Sequence, residues 1–247
     1  MTTVGLLYPG FGAEDDFPAL ERRLRADGHD VTLPLMHTSV GEDAHRVDAL
    51  LDLGSHERLV AGAQALAAEH RLDTLMWACT SGSFVFGWEG ARDQVERLAA
   101  ATGLPTSSTS LAFVSACREL DLTRVCIAAS YPEDVAEHFR TFLGRAGIEV
   151  TSMGSHDIYT AAEVGTLGRD QVVAMVAGLD RSGAQAVLVP DTAMHSLAWL
   201  PDLEEAAGMP VLTANQVTVF EGLRLHGPVP ALPQLGALFD RQSAGAR

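Results

Sequence analysis

The chain has 247 residues, of which 17 are Lys or Arg and 32 are Asp or Glu, so its formal net charge is −15. Apolar residues make up 47% and charged residues 20%, a composition typical of folded proteins and too apolar for a disordered chain. At roughly 150 residues per domain, this length predicts one large domain or two small ones. An acidic chain without a basic cluster binds nucleic acid and anionic membranes poorly, so we expect neither partner.

The cysteines and the first residues indicate the compartment. Cys79, Cys117 and Cys126 form no CxxC pair, which argues against a disulfide framework and against a zinc site. No basic segment precedes the first apolar run, VGLLY, and no apolar run reaches the ~18 residues that a membrane span needs. We therefore expect a cytoplasmic protein that handles a small molecule, and a homo-oligomer stays open as an alternative to a monomer.

Strand and helix patterns alternate along the first half of the chain. The predicted elements are a strand at Val4–Tyr8, a helix capped by Asp15 or Asp16 and stopped at Gly28, a strand at Val31–Leu35, a helix from Ser55 to about Glu69, a strand at Thr74–Ala78, the loop CTSGSF, and a helix from about Ala91 to Ala101.

The second half continues the alternation. Its predicted elements are a strand at Val125–Ala129, a helix from Glu133 to Ala146, a strand at Ile148–Thr151, a helix from Asp170 to Ser182, a strand at Ala186–Val189, a short helix near Pro201–Ala207 and a strand at Val211–Ala214. Short apolar strands separated by helices are typical of parallel sheets covered on both faces. The predicted fold class is α/β.

Four landmarks recur in the same order in both halves. Tyr8-Pro9 pairs with Tyr131-Pro132, Gly28 with Gly147, Cys79-Thr80-Ser81 with Asp191-Thr192-Ala193, and Gly103-Leu104-Pro105 with Gly208-Met209-Pro210. Such repetition predicts two related α/β lobes that face each other. We place the first lobe at residues 1–112 plus 216–247, carrying Cys79, and the second at residues 113–215, carrying Asp191.

Ligands of open parallel sheets bind beyond the carboxyl ends of the strands. The residues that directly follow the predicted strands are the candidate substrate-binding residues Pro9, Gly10, Thr80, Ser81, Tyr131 and Thr192, together with Cys79 and Asp191. If the lobes are related by a pseudo-twofold axis, Cys79 and Asp191 approach one cleft from opposite sides. The hydroxyl groups predict a set of donors for a carboxylate or enediolate oxygen.

Cys79 and Asp191 are the candidate catalytic residues, and each has a simpler explanation. A free cysteine is usually a buried apolar residue, and this fits Cys117 and Cys126. Cys79 differs because hydrogen-bond donors follow it in the sequence, and such donors lower the pKa of a thiol, so we expect a thiolate there. Asp191 is either a turn cap or an acid/base group. His195 lies four residues after Asp191, but two ligands make a weak metal site, so we expect no metal there.

Several known motifs do not fit. Gly10-Phe11-Gly12 follows the first strand, but Asp15 stands where a dinucleotide loop needs its third glycine. The chain also lacks a P-loop, an HExxH motif and a GxSxG motif. No cofactor is expected.

The segments ACTSGSF, GLPTSSTS, RVCIAASYPEDV, VLVPDTAMHSL and GMPVLTANQ stand in this order along the chain. Together they resemble the aspartate/glutamate racemase superfamily, in the branch of maleate cis-trans isomerases and arylmalonate decarboxylases. The resemblance implies two flavodoxin-like lobes, a substrate between them, no metal or organic cofactor, and chemistry through a carbanion, an enediolate or a thiol adduct.

The same resemblance implies roles for individual residues. Cys79 matches the first-lobe cysteine that is the nucleophile of the isomerases and an acid/base of the racemases. Thr80, Ser81 and Tyr131 match hydroxyl residues that hold a substrate carboxylate. Asp191 stands where the second-lobe cysteine is expected, and this is the main departure, because the isomerases have both cysteines and the decarboxylases have only the second.

Three functions follow as hypotheses. The first is an isomerase of a small carboxylic acid, in which the Cys79 thiolate adds to, or takes a proton from, the carbon next to a carboxylate. The second is a decarboxylase of a substituted malonate, with one carboxylate in an apolar pocket near Trp77, Phe84 or Phe86 and Cys79 as proton donor. The third is a non-catalytic binding module on the same architecture, with Cys79 merely buried.

Overall fold

The computed structural model describes residues 1–10 and 12–240. The first sheet contains the strands β1 (Thr2–Pro9), β2 (Val31–Thr32), β3 (Leu35–Thr38), β4 (Thr74–Trp77) and β5 (Thr106–Ser108). Its order is β2-β1-β4-β5, with β3 also paired to β1, and every pair is parallel.

The strand predicted at Val31–Leu35 is divided into two. β2 pairs with the start of β1 and β3 pairs with its end. Pro34 lies between them, and it has no N–H group to continue the ladder, although its carbonyl accepts a hydrogen bond from Leu6 N at 2.9 Å. The edge of the sheet therefore turns at Pro34 and carries the chain on to Thr38.

The helices of this half are α1 (Asp16–Ala26), α2 (Val47–Leu53), α3 (His56–Glu69), α4 (Ser81–Phe84), α5 (Gly87–Thr102) and α6 (Thr109–Glu119). The CTSGSF segment was predicted as a loop and contains α4 instead. Its helical turn is closed by the amides of Ser83 and Phe84, which both donate to the Thr80 carbonyl at 3.0 Å.

The second sheet repeats this plan. Its strands are β6 (Arg124–Ala129), β7 (Glu149–Ser155), β8 (Ala186–Val189) and β9 (Val211–Thr213), and its helices are α7 (Glu133–Arg145), α8 (Ala161–Val164), α9 (Arg169–Ala177) and α10 (Leu200–Ala207). The order is β7-β6-β8-β9, again with parallel pairs only. The helix predicted to reach Ser182 ends at Ala177, with Gly178 as its C-cap.

The two sheets confirm the predicted pair of related α/β lobes. β1, β4 and β5 hold the same places in the first sheet as β6, β8 and β9 in the second. The paired glycines agree as well, since Gly28 and Gly147 both have φ of 86°. A left-handed backbone after a helix favours glycine, so the repeated glycine marks a repeated turn.

The last helix, α11 (Ala214–His226), follows a strand of the second sheet but packs against β1, β4 and α6. Thr74 Oγ1 on β4 donates to the carbonyl of Gly222 on α11 at 3.0 Å. The Thr109 and Thr218 hydroxyls meet at 2.6 Å between α6 and α11. The chain thus returns to the first sheet, while the lobe boundaries at 112/113 and 215/216 stay a prediction.

None of the helices in the described part of the chain has the length and apolar character needed to cross a bilayer.

Candidate active site

A cavity of about 480 Å³ lies beyond the carboxyl ends of β1, β3, β4 and β8. Six of the eight predicted site residues line it, namely Pro9, Gly10, Cys79, Ser81, Asp191 and Thr192. The ends of strands from both sheets therefore meet at one cavity, as expected for parallel α/β architecture.

Cys79 lies at the first-sheet side of the cavity. Its side chain is 2% exposed, and its Sγ accepts a hydrogen bond from Gly82 N at 3.3 Å. The Ser81 hydroxyl lies 3.9 Å from the same sulfur. The sulfur lines the cavity even though little of it is exposed.

The charge state of Cys79 differs from the sequence-based expectation of a thiolate. Burial raises the pKa of the Cys79 thiol to about 12, and the negative charge of Asp191 adds to this rise. The hydrogen bonds from Gly82 and Ser81 lower the pKa by less than burial raises it. Cys79 is therefore a thiol at neutral pH.

Asp191 faces the same cavity from the second sheet and is buried. Its Oδ2 accepts a hydrogen bond from Ser130 Oγ at 2.5 Å, and its Oδ1 accepts one from Ala193 N at 2.9 Å. His45 Nε2 lies 3.8 Å from Oδ2, an ion-pair distance. The carboxylate is therefore held on both oxygens by groups of the second lobe and faces an imidazole of the first.

Thr80 and Tyr131 fall outside the cavity lining as the described residues define it. Tyr131 donates a hydrogen bond to the Pro190 carbonyl at 2.9 Å. Burial raises the pKa of the Tyr131 hydroxyl, with further increases from the charges of Asp191 and Cys79. Thr80 Oγ1 is buried and meets no hydrogen-bond partner at normal geometry among the described residues. A substrate contact for either hydroxyl stays a prediction.

The first-strand loop and the 190–192 loop are joined by Tyr8. The Tyr8 hydroxyl donates to the Thr192 carbonyl at 2.9 Å and accepts from Ala13 N at 3.0 Å. Gly10 has φ of 61°, which allows the chain to turn away immediately after β1. Pro9, Gly10 and Thr192 thus belong to the rim that connects the two lobes.

His195 and the aromatic side chains of the predicted apolar pocket are not among the described residues that line this cavity. His195 Nε2 lies 2.7 Å from Asp15 Oδ1, so it pairs across the lobes and away from Asp191. Within the described residues there is no cluster of three or more His, Cys, Asp or Glu that could hold a metal. The prediction of an apolar pocket near Trp77, Phe84 or Phe86 is wrong for this cavity. The apolar side chains that line it include Val40, Leu50 and Leu53.

Four residues that complete the site lie outside the eight predicted positions: Tyr8, Thr38, His45 and Ser130. Tyr8, Thr38 and His45 line the cavity, and Ser130 holds Asp191. Tyr8 already stood out in the sequence as part of the repeated Tyr-Pro landmark at the end of β1. Ser130 directly follows β6 and adjoins Tyr131, so its position could have revealed it. His45 follows no strand directly, and its sequence carries no comparable signal.

The fold and the site define a class of protein: two parallel α/β lobes with a cysteine and a carboxylate facing one cavity between the strand ends. A family model described as arylmalonate decarboxylase matches residues 52–239. The chain belongs to this family, in the branch that also holds the maleate isomerases.

Two relatives and one solved structure show the range of the branch. Maleate isomerase of Nocardia farcinica is 28% identical over 252 residues, which is 98% of this chain and 96% of that protein. Arylmalonate decarboxylase of Bordetella bronchiseptica is 32% identical over 146 residues, 57% of this chain and 60% of that protein. A mutant of Nocardia farcinica maleate cis-trans isomerase with a covalently bound succinylcysteine intermediate has the same fold, with a TM-score of 0.82 at 23% identity over 98% of this chain and 99% of that one. The relatives are isomerases and a decarboxylase.

Proposed function

We propose that the protein is an isomerase of a small carboxylic acid, of the maleate cis-trans type, and that Cys79 is its nucleophile. The observation that carries the proposal is the placement of Cys79 and Asp191 after equivalent strands, β4 and β8, on one cavity. The isomerase that matches nearly the whole chain and the succinylcysteine adduct of a relative support the same chemistry.

In this mechanism the substrate carboxylate lies beside Cys79 and the Ser81 hydroxyl, which both line the cavity. The sulfur, once deprotonated, forms a bond to the alkene carbon β to that carboxylate, and the π electrons move into an enediolate. Protonation of the α carbon gives a thioether adduct in which the former double bond is single and rotates. Removal of that proton returns the enediolate, whose collapse re-forms the double bond and expels the thiolate, so that the other geometric isomer leaves.

A decarboxylase of a malonate-type diacid is the second candidate, and the protonation state of Cys79 favours it. The thiol with a pKa raised to about 12 holds a proton at neutral pH. That proton can be delivered to the enediolate left after loss of CO₂. The side chains of Val40, Leu50 and Leu53 offer an apolar wall for the carboxylate that is lost.

Proton NMR in D₂O tests both candidates on a panel of maleate-like acids, substituted malonates and amino acids. Isomerisation converts one geometric isomer into the other with no loss of mass, whereas decarboxylation releases CO₂. Native protein is compared with Cys79→Ala and with Cys117→Ala, since Cys117 is another buried free cysteine and lies on α6. Turnover by native protein and Cys117→Ala, but not by Cys79→Ala, is the expected result.

A further inference from the structure

The loop between β3 and α2, residues 39–46, crosses from the first lobe to the second. Asp43 accepts hydrogen bonds from Ala161 N at 2.8 Å and Ala162 N at 3.1 Å. His45 N donates to the Tyr159 carbonyl at 2.7 Å. These contacts fix the backbone of His45 against the second lobe, although the residue belongs to the first.

The imidazole of His45 is buried and held in one orientation. Its Nδ1 lies 2.7 Å from the Ile158 carbonyl, and a carbonyl only accepts, so Nδ1 carries a hydrogen. Its ring meets the Tyr131 ring edge-on at 4.9 Å between centroids. Nε2 is therefore the ring atom left to exchange a proton, and it faces Asp191 Oδ2 at 3.8 Å.

Asp191 is a poor candidate for the mobile proton. Ser130 Oγ donates to one of its oxygens and Ala193 N donates to the other, so both oxygens already accept hydrogen bonds. The Asp191 carboxylate, 3.8 Å from Nε2, is placed to stabilise the positive charge that His45 gains when it takes a proton. This pair resembles an arrangement in which a carboxylate orients a histidine and the histidine moves the proton.

Other proton carriers are few. The chain contains no lysine, and the described residues that line the cavity include no arginine. The titratable groups that share the cavity or its walls with His45 are Tyr8, His37, Glu42, Asp43, Cys79, Tyr131 and Asp191. Of these, His37, Glu42 and Asp43 are exposed to solvent, whereas the other four groups are buried, as His45 is.

We propose that His45 is the catalytic proton carrier that works with Cys79, and that Asp191 is its charge partner. This rests on the proposed function of the site. Neutral His45 takes the Cys79 thiol proton at Nε2, which leaves a thiolate and an imidazolium. The thiolate bonds to the β carbon of the substrate, the π pair moves to the α carbon, and the imidazolium protonates that carbon. After rotation the same steps run in reverse, so the proton returns to sulfur and no group is consumed.

The test measures turnover and its pH dependence in two variants that differ in what they retain. His45→Asn keeps a donor near the position of Nδ1 for the Ile158 carbonyl but has no group in place of Nε2. His45→Gln reaches toward Asp191 but does not titrate. We expect kcat to fall ~10²-fold or more in both, the scale of losing a general acid/base. His138→Gln, which removes an exposed histidine on α7, controls for the loss of any imidazole and keeps the native rate.

Two further readouts separate proton transfer from a structural role. One limb of the native pH–rate profile should be lost in His45→Asn, and kcat should fall in Asp191→Asn, where no carboxylate stabilises the charge that the imidazole gains with the proton. Free imidazole should restore His45→Ala by ~tenfold or more. Circular dichroism and thermal unfolding of each variant identify any that fails to fold.

The outcomes keep the two proposals apart. If Cys79→Ala is inactive while His45→Asn and His45→Gln retain the native rate and pH profile, the role of His45 is overturned and the proposed function stands. If His37→Gln removes the limb instead, His37 is the carrier and the proposal is wrong. If native protein turns over no member of the panel, or Cys79→Ala is fully active, the proposed function fails and the role of His45 fails with it.

Discussion

Cys79 and Asp191 follow β4 and β8, the strands that hold the same place in two sheets of the same order, and both side chains line one cavity. One is a thiol with a raised pKa and the other is a carboxylate held by hydrogen bonds. The two lobes thus bring chemically different groups to equivalent positions. This asymmetry suits a reaction in which sulfur bonds to carbon on one side and a proton moves on the other.

Replacement of Cys79 is the first prediction. Cys79→Ala should lower kcat by ~10²-fold or more, because both the nucleophilic and the proton-donor roles need the sulfur. Cys79→Ser should stay nearly as inactive, since a hydroxyl is a weaker acid and nucleophile than a thiol. Turnover is followed by NMR, with Cys117→Ala as the matched buried-cysteine control. A fully active Cys79→Ala would contradict both catalytic candidates.

Ser130→Ala should damage activity through Asp191. The substitution removes the 2.5 Å hydrogen bond to Oδ2, and a buried acceptor that loses its donor costs about 1–3 kcal/mol of unfolding free energy. We expect a fall in kcat as well, measured alongside urea unfolding. Thr74→Val is the control, because it deletes a buried hydroxyl bonded to Gly222 in the core, away from the cavity. Equal kcat values in the two variants would show that Ser130 contributes stability alone.

Asp43→Asn should weaken the attachment of loop 39–46 to the second lobe. Its two hydrogen bonds to Ala161 and Ala162 are charge-assisted and solvent-exposed, so we expect a loss of under about 1 kcal/mol in stability. KM should rise and the loop should exchange its amide hydrogens faster, because the wall of the cavity is less firmly held. Asp93→Asn removes an exposed carboxylate that pairs with Arg97 on α5, outside this loop, and it should change neither. An unchanged exchange rate in Asp43→Asn would refute the docking role.

Asp16 joins the lobes at a second point. Its Oδ2 accepts hydrogen bonds from Ser196 N at 3.0 Å, Leu197 N at 3.2 Å and Asn215 Nδ2 at 3.0 Å. Asp16→Ala leaves these buried donors unpaired and should cost at least about 1–3 kcal/mol of unfolding free energy. Asp16→Asn retains an acceptor oxygen and should cost clearly less.

The same pair of variants tests the pH dependence of stability. Burial raises the pKa of Asp16 above its ordinary value of 3.8. Between that value and the raised one, the native state binds more protons than the unfolded state, so this group's contribution to stability falls as pH rises. Asp16→Asn lacks the effect and should gain stability relative to native protein from pH 4 to pH 7 in urea titrations. A difference that is constant with pH would contradict the raised pKa.

Much of the fold follows from local sequence. The apolar runs at Thr74–Trp77 and Ala186–Val189 are short and uninterrupted, and they became β4 and β8 because a strand covered on both faces needs no polar alternation. By contrast, α6 and α11 were not predicted. α11 is buried along nearly its whole length between elements of the first lobe, so it lacks the polar face by which an amphipathic helix is recognised.

By itself, the sequence determined the alternation of strands and helices, the repeat, and the residues that follow the strands. Those features depend on neighbours along the chain, as does the expectation that Cys79 and Asp191 lie at strand ends. Only the tertiary structure decided that His45 and Ser130 reach Asp191 and that Cys79 is a thiol. Contacts between residues 45 and 191, and the loss of water around a sulfur, arise when distant segments pack together, and no local pattern encodes them.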